Sequence, residues 1–458
     1  MTPTSREPFL RTRATRFALV SIALLAALAL ASALLSAAAL ARGPQVRAVV
    51  GDAAAAVTQR DVTLTLRADQ PLDPTSADGI AIEPSAPIQV DVLGASLRVR
   101  FTDTLAFATD YRLSVPALRG ASTGATADTE YRFSTPPLEI TTLERGGTFD
   151  RASEEDDAVV RHDLSHGTAT TVFQAPRIQE YAEDGGDTVA LTLDRDGATG
   201  LQHVGADGVS TALDLPGRGD VRLLRASEDA GRVGFVFTGV SDDSSQQYSG
   251  TLFLLDPADP SAPPRTVPGL DGAPVRAEAW SFVPGSAYLV AQTPDRSLLL
   301  VDATGAAPPR VLGQLGDLVS LLPGTTSVVV GSAAGRSVLD LTTGTLSPVP
   351  GTGSPQPGEG RVVLAPDTVA SWSATRVSRT VGATSPETVV DAPAGERFEQ
   401  VCASPSGRHL AVGVVSDAAA LDGYPARADR VGRATDVIDA VTGEVVARVA
   451  GTLPDWCD

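Results

Sequence analysis

Phe398-Glu-Gln-Val-Cys402, Ser404-Pro-Ser-Gly407 and Arg408-His-Leu-Ala-Val-Gly-Val-Val415 follow one another near the end of the chain. After a long loop come Thr435-Asp-Val-Ile-Asp439, Thr442-Gly443 and Glu444-Val-Val-Ala-Arg-Val449. The four runs place apolar residues at alternating positions, and turn residues split them. Such a stretch reads as one four-stranded antiparallel sheet, and similar units fill the three hundred or so residues before it.

Seven units can be laid out after Pro136-Pro137, at roughly the spacing of propeller blades. Their third strands are the clearest markers. They are Val159–Asp163, Gly200–Val204, Thr251–Asp256, Ser297–Asp302, Ser337–Leu341, a degenerate sixth around Val377–Val390, and Asp436–Asp439. Preceding strands recur as Val189–Leu193, Val233–Phe237, Ala287–Ala291, Ser327–Gly331 and Leu410–Val414. Turns such as Ser281-Phe-Val-Pro-Gly285, Leu321-Leu-Pro-Gly324 and Ser404-Pro-Ser-Gly407 introduce three of them.

These residues resemble the TolB-like and YVTN-type β-propellers. There a Ser-Pro-x-Gly turn precedes the second strand and an Asp-x-x-Thr-Gly turn follows the third. The resemblance implies the fold and leaves the function open, because such propellers host hydrolases, lactonases and pure binding platforms. Only the last unit carries both turns.

Residues 45–137 read differently. Val62-Thr-Leu-Thr-Leu66 alternates strictly, and Ile88–Val92 and Leu97–Phe101 flank Gly94 as a hairpin. Pro71–Pro74 is a turn, and Tyr111–Val115 and Tyr131–Thr135 are further strands. Short strands with regular turns predict a β-sandwich. Ala108-Thr-Asp-Tyr-Arg-Leu-Ser-Val115 and Tyr131-Arg-Phe-Ser-Thr-Pro-Pro137 resemble the bacterial Ig-like domains of surface and S-layer proteins. That resemblance implies a spacer or adhesion module without catalytic residues, with Tyr111 either a corner tyrosine or a plain core tyrosine.

The N-terminus carries Arg6, Arg11, Arg13 and Arg16, then an uncharged stretch over 17–40. At 1.5 Å per residue it would extend about 36 Å, enough for a ~30 Å hydrocarbon core. Two readings stand. One is a transmembrane signal-anchor over 17–40, with a cytoplasmic segment 1–16 and everything after Arg42 outside. The other is a signal peptide cleaved near Ala41, releasing a secreted protein. The whole resembles actinobacterial membrane-anchored surface proteins. The expected fold class is all-β: an N-terminal transmembrane helix, an Ig-like β-sandwich over 45–137, and an approximately seven-bladed β-propeller over 138–458.

The chain has 458 residues, 43% hydrophobic, with a formal net charge of -19. It buries real cores, and its acidic exterior argues against nucleic acid as partner. It contains no Lys and no Asn, so lysine chemistry and N-glycosylation are excluded. Both absences fit a codon bias toward Ala, Gly, Arg, Asp and Val. The two cysteines of an exported chain, Cys402 and Cys457, predict one disulfide tying the C-terminal tail to the last unit.

No catalytic, metal or cofactor set emerges. His162 and His166 flank a turn, and His203 and His409 belong to distant units. Asp194-Arg-Asp-Gly197 lacks the later ligands of a calcium loop and reads as a hairpin turn. Glu154-Glu-Asp-Asp157 reads as a solvated turn. The best functional hint is the long loop Ser416–Ala434. There Tyr424, Arg427, Arg430 and Arg433 offer a binding loop, with three arginines able to share a face and hold an anion. The reading is a membrane-anchored binding protein using a propeller platform. Its partner would be a cell-wall component, an envelope protein or a small ligand. The alternatives are a propeller-type hydrolase or lactonase, and a purely structural envelope component, so enzymatic activity is left open.

Overall fold

A computed structural model describes residues 17–32, 42–150, 155–194, 197–227, 229–353 and 357–457. The chain divides into two compact units, one of Met1–Ala56 with Arg60–Thr135 and one of Val57–Gln59 with Pro136–Asp458. Residues 17–32 are helical, and their apolar side chains are exposed, Phe17 at 75% and Leu19 at 67%. Residues 33–40 of the expected span lie outside the described residues. Among the described residues no helix is long and apolar enough to cross a membrane.

The first unit is built from two sheets. One orders Val46–Val50, Thr63–Ala68, Ser96–Phe101 and Ile88–Leu93, and the other Ala81–Glu83, Asp110–Arg119 and Thr126–Ser134. The hairpin about Gly94 is present, with Leu93 opposite Ser96. Alternation puts Leu64, Leu66, Leu97, Val99 and Phe101 of one sheet, and Tyr111, Leu113 and Val115 of the other, inside. Phe101 meets Phe133 of the opposite sheet edge-on at 6.0 Å. The Tyr111 hydroxyl accepts the Ala106 N–H at 3.0 Å, a corner-tyrosine contact that fixes the chain entering its strand.

The second unit contains seven successive antiparallel sheets in sequence order, consistent with the blades of a β-propeller. The last consists of Glu396–Ala403, His409–Ser416, Ala434–Asp439 and Val445–Ala450. The sixth unit, expected to be degenerate, is a full sheet of Gly360–Ala365, Thr368–Ser373, Arg376–Val381 and Glu387–Asp391. Its third and fourth strands are joined by Gly382-Ala-Thr-Ser-Pro386 in place of Asp-x-x-Thr-Gly, and a short turn between Ala365 and Thr368 stands where Ser-Pro-x-Gly would.

The repeated Asp after the third strand has a definite task. Asp163, Asp302, Asp340 and Asp439 each accept backbone N–H groups two or more residues ahead, closing the turn to the fourth strand. Apolar clusters join each sheet to the next. Trp280 of the fourth sheet reaches over Gly234 of the third, where a Cβ would lie 2.5 Å from the indole. Gly407 ends the Ser404–Gly407 turn at φ +73°, and a Cβ there would meet the Leu364 carbonyl of the sixth sheet at 2.6 Å. At the seam, Ile140 of the first sheet packs against Ala411, Val437 and Val449 of the seventh. The ring is therefore closed.

Closure uses the tail. The first sheet has only three strands, Glu139–Glu144, Asp157–Asp163 and Thr168–Ala175. Thr452 bridges Leu143 antiparallel, with N–H···O bonds of 2.8 and 2.9 Å, and so takes the innermost position. The Tyr181 hydroxyl lies within hydrogen-bond distance of both the Leu453 (2.8 Å) and Thr141 (2.6 Å) carbonyls. Just beyond, Cys457 forms the expected disulfide with Cys402, at a Cα–Cα distance of 5.2 Å.

Candidate functional site

The first strands of the sheets line the channel of the ring, and two cavities lie along it. The larger, of about 690 Å³, sits at the end where these strands finish. Leu318, Ser320, Val362, Cys402 and Trp456 are among its lining, with Arg225 and Arg361 as its cations and Asp455 as its one carboxylate. Asp455 accepts the Thr141 N–H at 3.1 Å. The smaller cavity, of about 350 Å³, is lined by Glu399, Gln400, Leu421, Arg427, Asp429, Arg430, Arg433 and Leu453.

Between the cavities stands Glu180. Its carboxylate accepts from Arg427, which lines the smaller cavity, at 2.5 Å. Arg225, which lines the larger, lies 3.9 Å from the same oxygen. Two guanidiniums thus approach one carboxylate at the junction.

The loop expected to hold an anion is tied down instead. Arg427 is taken by Glu180, Arg430 by Glu399 at 2.6 Å, and Arg433 by Asp429 in a two-pronged contact of 2.7 and 2.9 Å. Tyr424 is buried, not offered at the surface. Its hydroxyl bonds Asp157, and its ring stands under the Arg145 guanidinium at 3.8 Å. Arg145 forms a buried ion pair with Asp422 and also donates to the Gln179 and Arg427 carbonyls. The loop of the seventh sheet is therefore strapped to the first and second sheets. Three arginines spaced by three do come near one cavity, but each arrives with its own counter-charge.

Asp157 departs most from the sequence reading. It is 1% exposed, not a solvated turn residue. It accepts from Gly146 N–H, Ile178 N–H and the Tyr424 hydroxyl. Burial pushes its carboxyl above the usual range, and those bonds pull it only part of the way back. Burial, helped by Asp157, pushes the Tyr424 phenol up as well. Asp429 is buried too, but Arg433 and the Thr452 hydroxyl outweigh burial and hold its carboxyl low. Glu154 lies outside the described residues.

The histidines do not converge. His162 Nε2 meets the Thr142 hydroxyl at 3.1 Å, His166 Nδ1 meets Asp163 at 2.7 Å, and His203 Nε2 meets Asp187 at 3.1 Å. His409 is buried 6.4 Å from the Trp456 ring, and burial lowers the pKa of both His162 and His409. Asp194 accepts the Ala198 N–H in a tight turn, while Arg195 and Asp196 lie outside the described residues. Among the described residues no three of His, Cys, Asp and Glu gather to hold a metal ion.

Sequence reasoning missed Arg145, Glu180 and Glu399. They sit in unremarkable strand contexts, and their partners lie 277, 247 and 31 residues away. The faint signal was arithmetic. A loop holding three arginines within an acidic chain had to find its counter-charges somewhere.

No protein-family model matches the chain, and no curated protein matches its sequence. Among solved structures it is similar to a 6-phosphogluconolactonase-like protein of Bacteroides fragilis. That match has 12% identity and a TM-score of 0.41, covering 69% of this chain and 96% of that one. It is also similar to the β-propeller domain of the trilobed protease of Pyrococcus furiosus, at 7% identity and TM-score 0.41, covering 73% and 93%. TolB of Acinetobacter baumannii matches at 9% identity and TM-score 0.35, covering 76% and 79%. The likenesses are remote, and the propeller reading rests on the chain's own seven sheets and their closed seam.

Proposed function

We propose that this chain is a membrane-anchored, extracytoplasmic binding protein. In this reading residues 17–40 anchor it and the first unit is an Ig-like spacer. The propeller, seven-bladed by its sheets, is the binding platform. The observation that carries the binding reading is the channel cavity of about 690 Å³. Its size falls in the range of small-molecule sites, and its walls belong to strands of a closed ring, so the site is largely pre-formed. Apolar walls with a few placed charges suit recognition. The four histidines, each engaged elsewhere, give no reason to prefer hydrolysis.

A thermal-shift panel of sugars, cell-wall glycans, divalent metals, lactones and small organic ions tests the binding reading. A ligand at a hundred times its dissociation constant stabilises by about 2.7 kcal/mol. A shift from an organic compound that turns over no substrate supports it. A metal-dependent shift accompanied by lactone hydrolysis would overturn it. The anchor is tested by mass analysis of protein from its native envelope, where an N-terminus at Arg42 would refute retention.

A further inference from the structure

We infer that the larger channel cavity takes an uncharged, largely apolar organic molecule, its body against Leu318, Val362 and Trp456 and a hydroxyl or carbonyl group at Ser320. This inference rests on the binding reading and names its ligand class.

Charge comes first, because each ionisable side chain on the wall is already engaged within the protein. Arg361 pairs with Glu359 at 3.3 Å and also donates to the Gly353 carbonyl. Arg225 donates to the Leu224 carbonyl at 2.8 Å and lies 3.9 Å from the Glu180 carboxylate. Asp455 accepts the Thr141 N–H at 3.1 Å. The Trp280 indole N–H, a further donor on the wall, is spent on the Leu223 carbonyl at 3.0 Å. A charged ligand seated here loses its hydration and gains no unspent counter-charge, unless it breaks one of these contacts. An uncharged body has far less hydration to lose.

Shape comes second. The walls between the two arginines are apolar, from Leu223, Leu318, Leu321 and Val362, and Trp456 closes one side. A drug-sized organic body covers such a surface. The Cys402–Cys457 disulfide forms part of the wall and fixes the Trp456 side, so the space is not an accident of a loose tail. One polar group on the wall is open to a ligand. Ser320 is exposed, and its hydroxyl has no protein partner among the described residues. It can donate to a carbonyl or exchange a hydrogen bond with a hydroxyl, and it asks for no charge.

The test uses the full chain in lipid nanodiscs, with empty discs as blank. Titration calorimetry at two temperatures is the readout, because burying apolar surface makes the heat of binding change with temperature. The probes are 1-naphthaleneethanol, 1-naphthylacetate and 1-naphthalenemethylamine, which share a ring system and differ in charge. The alcohol should bind at least about ten-fold more tightly than either ion, a difference of about 1.4 kcal/mol. Glu359→Gln strips Arg361 of its counter-charge, so it should tighten naphthylacetate several-fold and leave the alcohol unchanged. Ser320→Ala should weaken the alcohol several-fold. Ser320→Trp fills the space from an exposed position and should abolish alcohol binding, with Ser320→Phe as the smaller filler if the thermal midpoint drops. Equal or tighter binding of either ion overturns the uncharged assignment and leaves binding in the cavity standing. Naphthylacetate unmoved by Glu359→Gln overturns the pairing as the cause of selection, and an alcohol unmoved by Ser320→Ala overturns the polar contact. Alcohol binding that survives the fillers overturns the location. No heat from the alcohol at either temperature overturns the inference, while a shift elsewhere in the broad panel would still support the binding reading.

Discussion

The seam between the first and seventh sheets differs in kind from the other interfaces of the ring. Elsewhere larger apolar clusters meet, as where Trp280, Leu289 and Leu299 meet Val236, Leu252 and Leu254, with scattered polar links such as Trp280 to the Leu223 carbonyl and Arg161 to Glu183. Consecutive sheets are also joined by the chain itself, so their association is intramolecular and local. At the seam the two sheets are far apart in sequence, and no short connection joins them. The apolar contact shrinks to Ile140 against Ala411, Val437 and Val449. Three additions compensate: the tail strand at Thr452, the disulfide, and the charged strap from Arg145 to Arg433. The lesson is that an interface between sheets distant in sequence adds, to the scattered polar links its siblings also have, a buried ion-pair strap, a borrowed strand and the disulfide.

The strongest way to break that contrast is Arg145→Met. It leaves Asp422 buried without its cation, which costs about 3–5 kcal/mol when a buried pair loses one partner. Urea unfolding should register the loss, and Arg145→Met with Asp422→Leu should recover much of it. If the single change costs less than about 1 kcal/mol, the strap does not hold the seam. Next is removal of the disulfide by Cys402→Ser with Cys457→Ser. Its loop spans 55 residues, for which the chain-entropy model gives about 4 kcal/mol. The unfolding midpoint should fall, and added reductant should lower the native protein to the same value. An unchanged midpoint would mean that the tail strand alone secures the seam.

Acid titration sharpens the comparison further, because two strap carboxylates have opposite signs. The Asp429 carboxyl is held low when folded. Its contribution is fully present above the unfolded-state pKa and is lost as pH falls through the folded value. Asp157 is raised when folded, so the folded state holds its proton more tightly, and stability falls as pH rises from the unfolded toward the folded value. Replacing Asp429 by Asn should flatten the acid limb of the stability curve. Replacing Asp157 by Asn should remove a loss on the other side of it. Identical curves for both variants would refute the opposed assignments. The smallest effect belongs away from the seam. Asp340→Ala in the fifth sheet removes two turn hydrogen bonds and should cost about 1–2 kcal/mol. A loss as large as that of Arg145→Met would erase the distinction between seam and siblings.

Much of the repeat was legible because it is written locally. A short, fully buried apolar run such as Thr251–Leu255 or His409–Val415 bounded by turn residues declares a strand locally, and Asp340 and Asp439 close turns a few residues ahead. The sixth sheet was under-read because its turns use other residues, although its strands pair fully. The candidate site was far less legible. Asp157 looked like part of a solvated charge run, and only the loop bearing Tyr424, placed over it by ring closure, reveals it as buried.

By itself the sequence determined the strand period, the turn chemistry and the pairing of its only two cysteines. Each follows from interactions within a few residues or from a choice with one outcome. The tertiary structure decided which charges meet, that the tail supplies the first sheet's innermost strand, and that the channel keeps a cavity flanked by Arg225 and Arg361. The reason is physical. Ion pairs and cavities depend on where distant strands sit once the ring closes, and no local periodicity encodes that distance.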